Sequence, residues 1–470
     1  MRHGGLIPMG LFDFFKRLLF GSPAQAGSAD PPLAPSSSPP AEAPAPRPTP
    51  VTSPQKPSTA LSHQRHRRKN RDRPRLKLRP LKYRSSLIRT PPDQEHSSER
   101  PYAFAVRCIN PRTGERIGFL DYSQDADERW LSYYGLPPLK TPQDLAEFLD
   151  LSVGKLAWLT QRHHPALRPP TAKESHYHYH WIKKRSGGFR LLEAPKETLK
   201  DVQEIILDEI LDKIPTHPAA HGFVEGRSIL TNARPHVGRR FVLKMDLKDF
   251  YPTVKYRRIV AVFRSIGFSR EVSIWLARLT STTVPLKFSG PDTRPGWHYS
   301  LEHYWRHHLP QGAPTSPALA NLSAYSLDVR LSGLAAKYHL KYTRYADDLT
   351  FSGDGRSLAA LSDFIPLAQL IIRDERFQLN SSKRKVLRDN QRQVVTGVVV
   401  NDLCNVSRDV FDELKAILHN CLKQGAASQN RNQHPQFAAH IRGRIAHIMQ
   451  LNPRRGEKLL ALYQKINWTK

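Results

Sequence analysis

The chain has 470 residues, with 72 Lys+Arg against 42 Asp+Glu and a formal net charge of +30; its length leaves room for about three domains. No apolar run approaches the roughly 20 residues of a spanning helix, which argues against an integral membrane protein, and three scattered cysteines (Cys108, Cys404, Cys421) exclude a disulfide scaffold or a four-Cys zinc site and suit a reducing cytoplasm. The positive excess calls for a polyanionic partner, nucleic acid first among them, without saying whether the chain binds, cuts or copies it.

Residues 9–20, MGLFDFFKRLLF, place Leu11, Phe14, Phe15, Leu18 and Leu19 at helical spacing. They read as a short leader, with Met9 as a candidate start, or as a surface anchor or docking helix. Residues 21–60 hold 12 prolines and almost no large apolar groups, so they are expected to be disordered linker. Residues 61–90 carry 12 Lys+Arg and one acid, which suits a flexible arm that grips phosphates. Order is expected from about Pro101. Thr141-Pro142-Gln143-Asp144 is a capped helix start, and a second short helix is expected around Val153 to Leu159. SHYHYHW at 175–181 alternates as a strand, which turns at Ser186-Gly187-Gly188 and returns through Phe189 to Leu192. A long amphipathic helix is expected from about Leu199 to Ile214. Helices and strands alternate irregularly thereafter, which predicts an α+β fold.

Two carboxylate-bearing stretches follow. FVLKMDLKDFY at 241–251 reads as a strand ending on Asp246, and KYTRYADDLTFSG reads as a hairpin with Asp347 and Asp348 at its tip. Adjacent aspartates on a tight turn are costly unless a cation neutralises them. With Asp246 they offer hard oxygen donors for divalent ions such as Mg²⁺. Between the two lies HLPQGAPTSP at 308–317, a Gln-Gly turn leading into a helix expected from Ala318 to Leu331.

In this order the three stretches resemble the palm of reverse transcriptases: motif A around Asp246, an LPQG-x-x-x-SP motif B, and a YxDD motif C at Tyr345 to Asp348. Asn232-Ala233-Arg234-Pro235-His236 resembles the NAxxH element of retron reverse transcriptases, and Val395-Thr396-Gly397 their VTG element. The resemblance runs from about Pro137 to the C-terminus. It implies a right-hand fold divided into N-terminal helices and fingers (101–240), palm (241–401) and helical thumb (402–470), after a disordered extension (1–100).

The same resemblance implies roles. Asp246, Asp347 and Asp348 would be catalytic and hold two Mg²⁺ ions. Tyr251 would be the sugar gate, Gln311 and Gly312 would meet the incoming deoxynucleotide, Arg190 would neutralise its triphosphate, and Lys383 would assist pyrophosphate departure. Asn232, His236, Val395, Thr396 and Gly397 would serve RNA recognition. The implied partners are a structured non-coding RNA (msr–msd) and its cDNA, with dNTPs as substrates. The implied product is branched RNA–DNA, msDNA, made for antiphage defence alongside a separate toxin or effector protein. The alternatives are an intron-type or abortive-infection reverse transcriptase, an inactive RNA-binding scaffold, and a zinc protein built on His303, His307 and His308.

Overall fold

The computed structural model describes residues 107–109, 116–119, 123–160, 168–184, 188–291 and 301–468. They fall in one compact unit running from Pro74 to Lys470. The helix expected over 9–20, the Pro-rich linker, the basic arm and the Ser186-Gly187 turn lie outside the described residues.

A small hairpin, β1 (Arg107–Ile109) and β2 (Arg116–Phe119), comes first. Three short helices follow: α1 (Glu128–Tyr134), α2 (Pro142–Phe148) and α3 (Val153–Leu159). The start of α2 is the expected capping box, with Thr141 and Asp144 each accepting from the other's backbone N–H. β3 (Tyr177–Lys183) and β4 (Phe189–Pro195) form an antiparallel hairpin. The helix expected over 199–214 is α4 (Glu197–Ile206) continued by a widened π turn, Leu207–Leu211. That wider turn lets the successive residues Ile210 and Leu211 both be buried.

After α5 (Ile229–Ala233) comes β5 (Phe241–Asp246), then α6 (Phe250–Thr253), α7 (Tyr256–Ser265) and α8 (Arg270–Leu279). The single helix expected from Ala318 to Leu331 is two helices, α9 (Ser316–Ser323) and α10 (Tyr325–Lys337), meeting at Ala324. β6 (Lys341–Tyr345), β7 (Asp348–Gly353), α11 (Gly355–Ala359), α12 (Leu361–Asp374) and β8 (Lys385–Arg388) follow. A two-residue-per-strand hairpin, β9 (Val394–Val395) and β10 (Val398–Val399), leads to α13 (Arg408–Gln424), α14 (Phe437–Leu451) and α15 (Pro453–Tyr463).

The central sheet has the order β6-β7-β5-β8 and is antiparallel throughout. Period-two alternation divides its residues between two faces. Phe241, Leu243, Met245, Leu349 and Phe351 are fully buried in the main apolar cluster, together with Leu327 and Leu331 of α10 and Phe364 and Ile372 of α12. Lys244, Asp246, Thr343, Tyr345, Asp348 and Thr350 share the other face by register. A second cluster joins Leu230 and Ala233 of α5, Val242, Val395 and Val398 to Leu414, Ile441, Ile445 and Leu459 of the C-terminal helices. Packing therefore ties α5 and the β9–β10 hairpin to the C-terminal helices, although long stretches of sequence separate them.

One polar pair sits within the apolar side of the sheet. Arg344 on β6 and Asp328 on α10 are both fully buried, with Nε and Nη2 donating to the two carboxylate oxygens at 2.8 and 2.6 Å. Removing one partner leaves a buried charge uncompensated. Asp328→Ala is accordingly expected to destabilise the fold by about 3–5 kcal/mol, read as a lower midpoint in denaturant titration of the full chain. A loss under about 1 kcal/mol would mean that water reaches Arg344.

Candidate active site

β5 ends on Asp246 and β7 begins on Asp348, and register sets the two directly opposite each other. Asp347 occupies the second position of the two-residue turn that joins β6 to β7, after Ala346. Its carbonyl accepts from Leu247 N at 2.9 Å, which ties the turn to the chain leaving β5. Three carboxylates thus meet at adjoining strand ends, as the sequence pattern led one to expect. They are half-buried rather than solvated. Burial, reinforced by the charges of Asp246 and Asp348, pushes the Asp347 carboxyl up to about 6. Burial also raises Asp348, against the opposing pull of Lys244.

Two lysines answer this charge. Lys383 Nζ lies 3.1 Å from both Asp246 carboxylate oxygens, so the sequence-predicted Lys383 does arrive at the carboxylates. Lys244 Nζ lies 3.0 Å from Asp348 Oδ2. It sits two residues before Asp246 on the same face, and sequence reasoning passed over it. Among the described residues no three His, Cys, Asp or Glu side chains are gathered as a ready ligand set. The donor chemistry nevertheless suits a hard cation, since several carboxylate oxygens share a half-buried place where burial, and then their mutual repulsion, keep one acid hard to ionise.

The residues expected to meet a nucleotide approach from the other elements. Tyr251 follows Asp246 by five positions on α6. Burial and the Asp347 charge raise its phenol, while Arg190 and Arg344 act on it in the opposite sense. Arg190 is exposed on β4. β4 is fixed to the Gln-Gly turn because Glu193 N donates to Gln311 O at 2.9 Å. Gly312 has φ +130, and a Cβ there would come within 3.4 Å of Glu193 O. Beneath the turn, Glu193 and His308 form a fully buried pair at 2.9 Å. His307 bonds to Arg278 and Ser281. His307 and His308 thus serve packing, contrary to the zinc alternative.

A buried chain of hydrogen bonds supports the β6–β7 turn from below. Arg344 Nη1 donates to Asn321 Oδ1 at 2.9 Å and to Ala346 O at 3.1 Å, while Asn321 Nδ2 donates to Gly222 O at 2.9 Å. Gly222 packs so closely on the turn that a Cβ would lie 2.7 Å from Ala346 N. Sequence reasoning missed Arg344, Asp328, Asn321 and Gly222. The available signal was a charge, Asp328, set among the apolar residues Leu327 and Leu331.

Direct RNA reading by Asn232, His236 and Val395 needs correction, because their side chains are 1%, 0% and 0% exposed. His236 bridges Ser352 Oγ at 2.7 Å and Thr343 Oγ1 at 2.8 Å, and burial drives its imidazole down to about 3, so it is neutral there. Asn232 Nδ2 donates to Thr396 Oγ1 at 3.3 Å. The NAxxH and VTG elements therefore touch each other, and His236 braces the central sheet. Of the five residues, Gly397 is exposed and Thr396 half-exposed, at the tip of the β9–β10 hairpin with φ +86 and +46.

An antiparallel sheet that gathers carboxylates at its strand ends, beside a basic finger hairpin and a glycine-bearing turn, is the palm of a right-hand nucleic-acid polymerase. The reverse transcriptase (RNA-dependent DNA polymerase) family profile matches residues 182–400. The chain is 42% identical over 342 residues to the retron Mx65 reverse transcriptase of Myxococcus xanthus, covering 71% of this chain and 73% of that one. It is 36% identical to the retron Mx162 reverse transcriptase of the same organism, covering 71% and 69%. It is 29% identical to the retron Ec86 reverse transcriptase of Escherichia coli, covering 71% and 91%. The chain belongs to the retron reverse transcriptases and is an RNA-directed DNA polymerase.

Gly222→Ala tests the support beneath the turn. The nearest neighbour of the added methyl group is backbone, Ala346 N, with the Tyr345 ring edge 3.2 Å away, so the turn must shift. Polymerisation is expected to fall at least about tenfold, the scale on which small misplacements cost rate, with the circular dichroism spectrum kept. Unchanged turnover would show that the turn tolerates displacement.

Proposed function

We propose that this reverse transcriptase copies its own structured non-coding RNA into msDNA, with Asp246, Asp347 and Asp348 as the catalytic carboxylates. The observation that carries the reading is the convergence of these three groups, with Asp347 pushed up to about 6 by burial and by its neighbours. Such a site gains from a bound cation. Asp246 and Asp347 would hold two Mg²⁺ ions, with Asp348 completing the acidic set. When bound, such ions activate the attacking hydroxyl and stabilise the leaving pyrophosphate.

The chain's own groups then divide the remaining work. Arg190 attracts the triphosphate of an incoming dNTP, and the Gln311-Gly312 turn lets backbone approach the nucleotide. Tyr251 presents its ring where a 2′-OH would clash. Lys383, which neutralises Asp246 in the resting site, is placed to follow the departing pyrophosphate. The net charge of +30 supports an RNA partner. Thr396 and Gly397, at the tip of a hairpin, remain accessible for RNA, whereas Asn232 and the buried Val395 hold that hairpin and His236 braces β6 and β7. The family resemblance extends the proposal to synthesis primed from an internal guanosine 2′-OH, and to antiphage defence with a separate effector protein.

Asp347→Asn keeps the size and hydrogen bonding of the side chain while removing its charge. It is expected to abolish DNA synthesis on a primed RNA template while leaving RNA affinity within about twofold, since metal ligation serves the chemistry rather than RNA binding. Synthesis at wild-type rate would place the catalytic centre elsewhere. Tyr251→Ala is expected to raise ribonucleotide over deoxynucleotide efficiency by at least about tenfold, because relief of a steric clash is worth more than one kcal/mol. An unchanged ratio in competing-nucleotide assays would make Tyr251 a core residue.

A further inference from the structure

Beside the catalytic turn stands an aromatic side chain that no packing requirement explains. Phe223 is 41% exposed and belongs to none of the apolar clusters of the described residues. Its backbone is left-handed, φ +57, a conformation that a bulky residue adopts only when its surroundings impose it. The surroundings do impose it. The preceding residue is Gly222, pressed on the Ala346 backbone and held by Asn321. The chain before that meets β6 at a single parallel bridge, where Arg344 N donates to Ala219 O and His221 N donates to Arg344 O, both at 2.7 Å. Downstream, the Arg227 guanidinium donates to the carbonyls of His217, Pro218 and Ala220 and closes the loop. The ring is thus delivered to a fixed place, 6.3 Å from the ring of Tyr345 at an interplanar angle of 42°. Tyr345 lies on the same sheet face as Asp246 and Asp348 and two residues before Asp347.

We propose that Phe223 and Tyr345 form a stacking platform for the nucleobase at the end of the strand being extended, the nucleotide that carries the attacking hydroxyl. The proposal rests on the reading of Asp246 and Asp347 as the catalytic carboxylates. An aromatic face receives any base, which suits a surface over which every nucleotide of a growing strand must pass. The incoming nucleotide is the less fitting occupant. Its expected contacts, Arg190, Gln311 and Gly312, come from β4 and the turn fixed to it. Phe223 instead leads into α5, whose Leu230 and Ala233 pack with the C-terminal helices. The platform therefore belongs to the side toward which the duplex product is drawn.

The test uses the full chain and a short primer–template on RNA, made with either an ordinary or an abasic nucleotide at the primer 3′ end. Affinity is read by fluorescence anisotropy, which needs no turnover, and dNTP KM by single-nucleotide extension. For the wild-type chain the abasic end is expected to weaken binding about five- to a hundredfold, the worth of one base–aromatic stack. Phe223→Ala is expected to weaken binding of the ordinary primer by a similar factor and to bind both primers alike, with dNTP KM unchanged. Phe223→Trp is expected to restore the difference between them. Phe223→Gly, which relaxes the backbone while removing the ring, should behave as Phe223→Ala and serves if that variant folds poorly. The platform is overturned if Phe223→Ala keeps wild-type affinity, if it keeps the full abasic penalty, or if only dNTP KM rises. Asp347→Asn separates the two levels of the reading. A variant that still polymerises overturns the catalytic assignment, whereas a dead one with Phe223→Ala unaffected overturns the platform alone.

Discussion

Three carboxylates brought together at adjoining strand ends repel one another, and much of the palm answers that repulsion. Asp246 and Asp348 face each other across a strand pair, where like charges are destabilising. Lys383 and Lys244 offset part of the cost by lying 3.1 and 3.0 Å from them, and burial together with the neighbouring charges raises the Asp347 carboxyl. The arrangement is favourable only if cations or basic groups join it. That conditional stability is what a site needs if it is to hold metal during the reaction and yield it afterwards.

Repulsion above the sheet requires rigidity below it. The β6–β7 turn would relax outward if its backbone were free, and it is not free. Arg344 holds the Ala346 carbonyl from inside the core, Asn321 carries the same network to Gly222, and Gly222 blocks the space behind the turn. Asp328 keeps the Arg344 guanidinium oriented with two charge-assisted bonds. His236, neutral between two hydroxyls, closes the other face of β6 and β7. The motif B helices and the motif C hairpin are thus one mechanical unit, although the sequence presents them as separate motifs.

What could be read from the sequence follows from how local each feature is. The strand ending on Asp246 and the hairpin tip at Asp347 announce themselves through alternation and turn chemistry, and the capping box at Thr141 through spacing alone. Lys383 was legible only by resemblance, since nothing in LNSSKRK says that its ammonium reaches a strand 137 residues earlier. Arg344, Asp328 and Glu193 depend on partners more than ten residues away, and a charge beside a motif looks the same whether it is buried or solvated. His236 and Asn232 show the opposite failure. A family signature marks them as important, but it does not distinguish an exposed residue free to meet a ligand from a buried one that braces the scaffold, as His236 does between β6 and β7 and Asn232 does at Thr396. The break at Ala324 had no Gly or Pro to betray it.

Backbone strain gives the last link between scaffold and site. Left-handed non-glycine residues include Phe223, Asp249, Ala346 and Thr396. Ala346 sits in the turn beside Asp347, Phe223 stands against the Tyr345 ring, Asp249 caps α6, and Thr396 forms the tip of the VTG hairpin. Such conformations persist only where the surroundings determine them several times over, and for Phe223 and Ala346 those surroundings are one shared network. A single buried arginine therefore supports two different surfaces, the turn that carries Asp347 and the ring that stands next to it. Because they share that support, displacement of one displaces the other. Asp347 and the Phe223 ring are kept in register by Arg344 and its partners rather than by contact between the two surfaces alone.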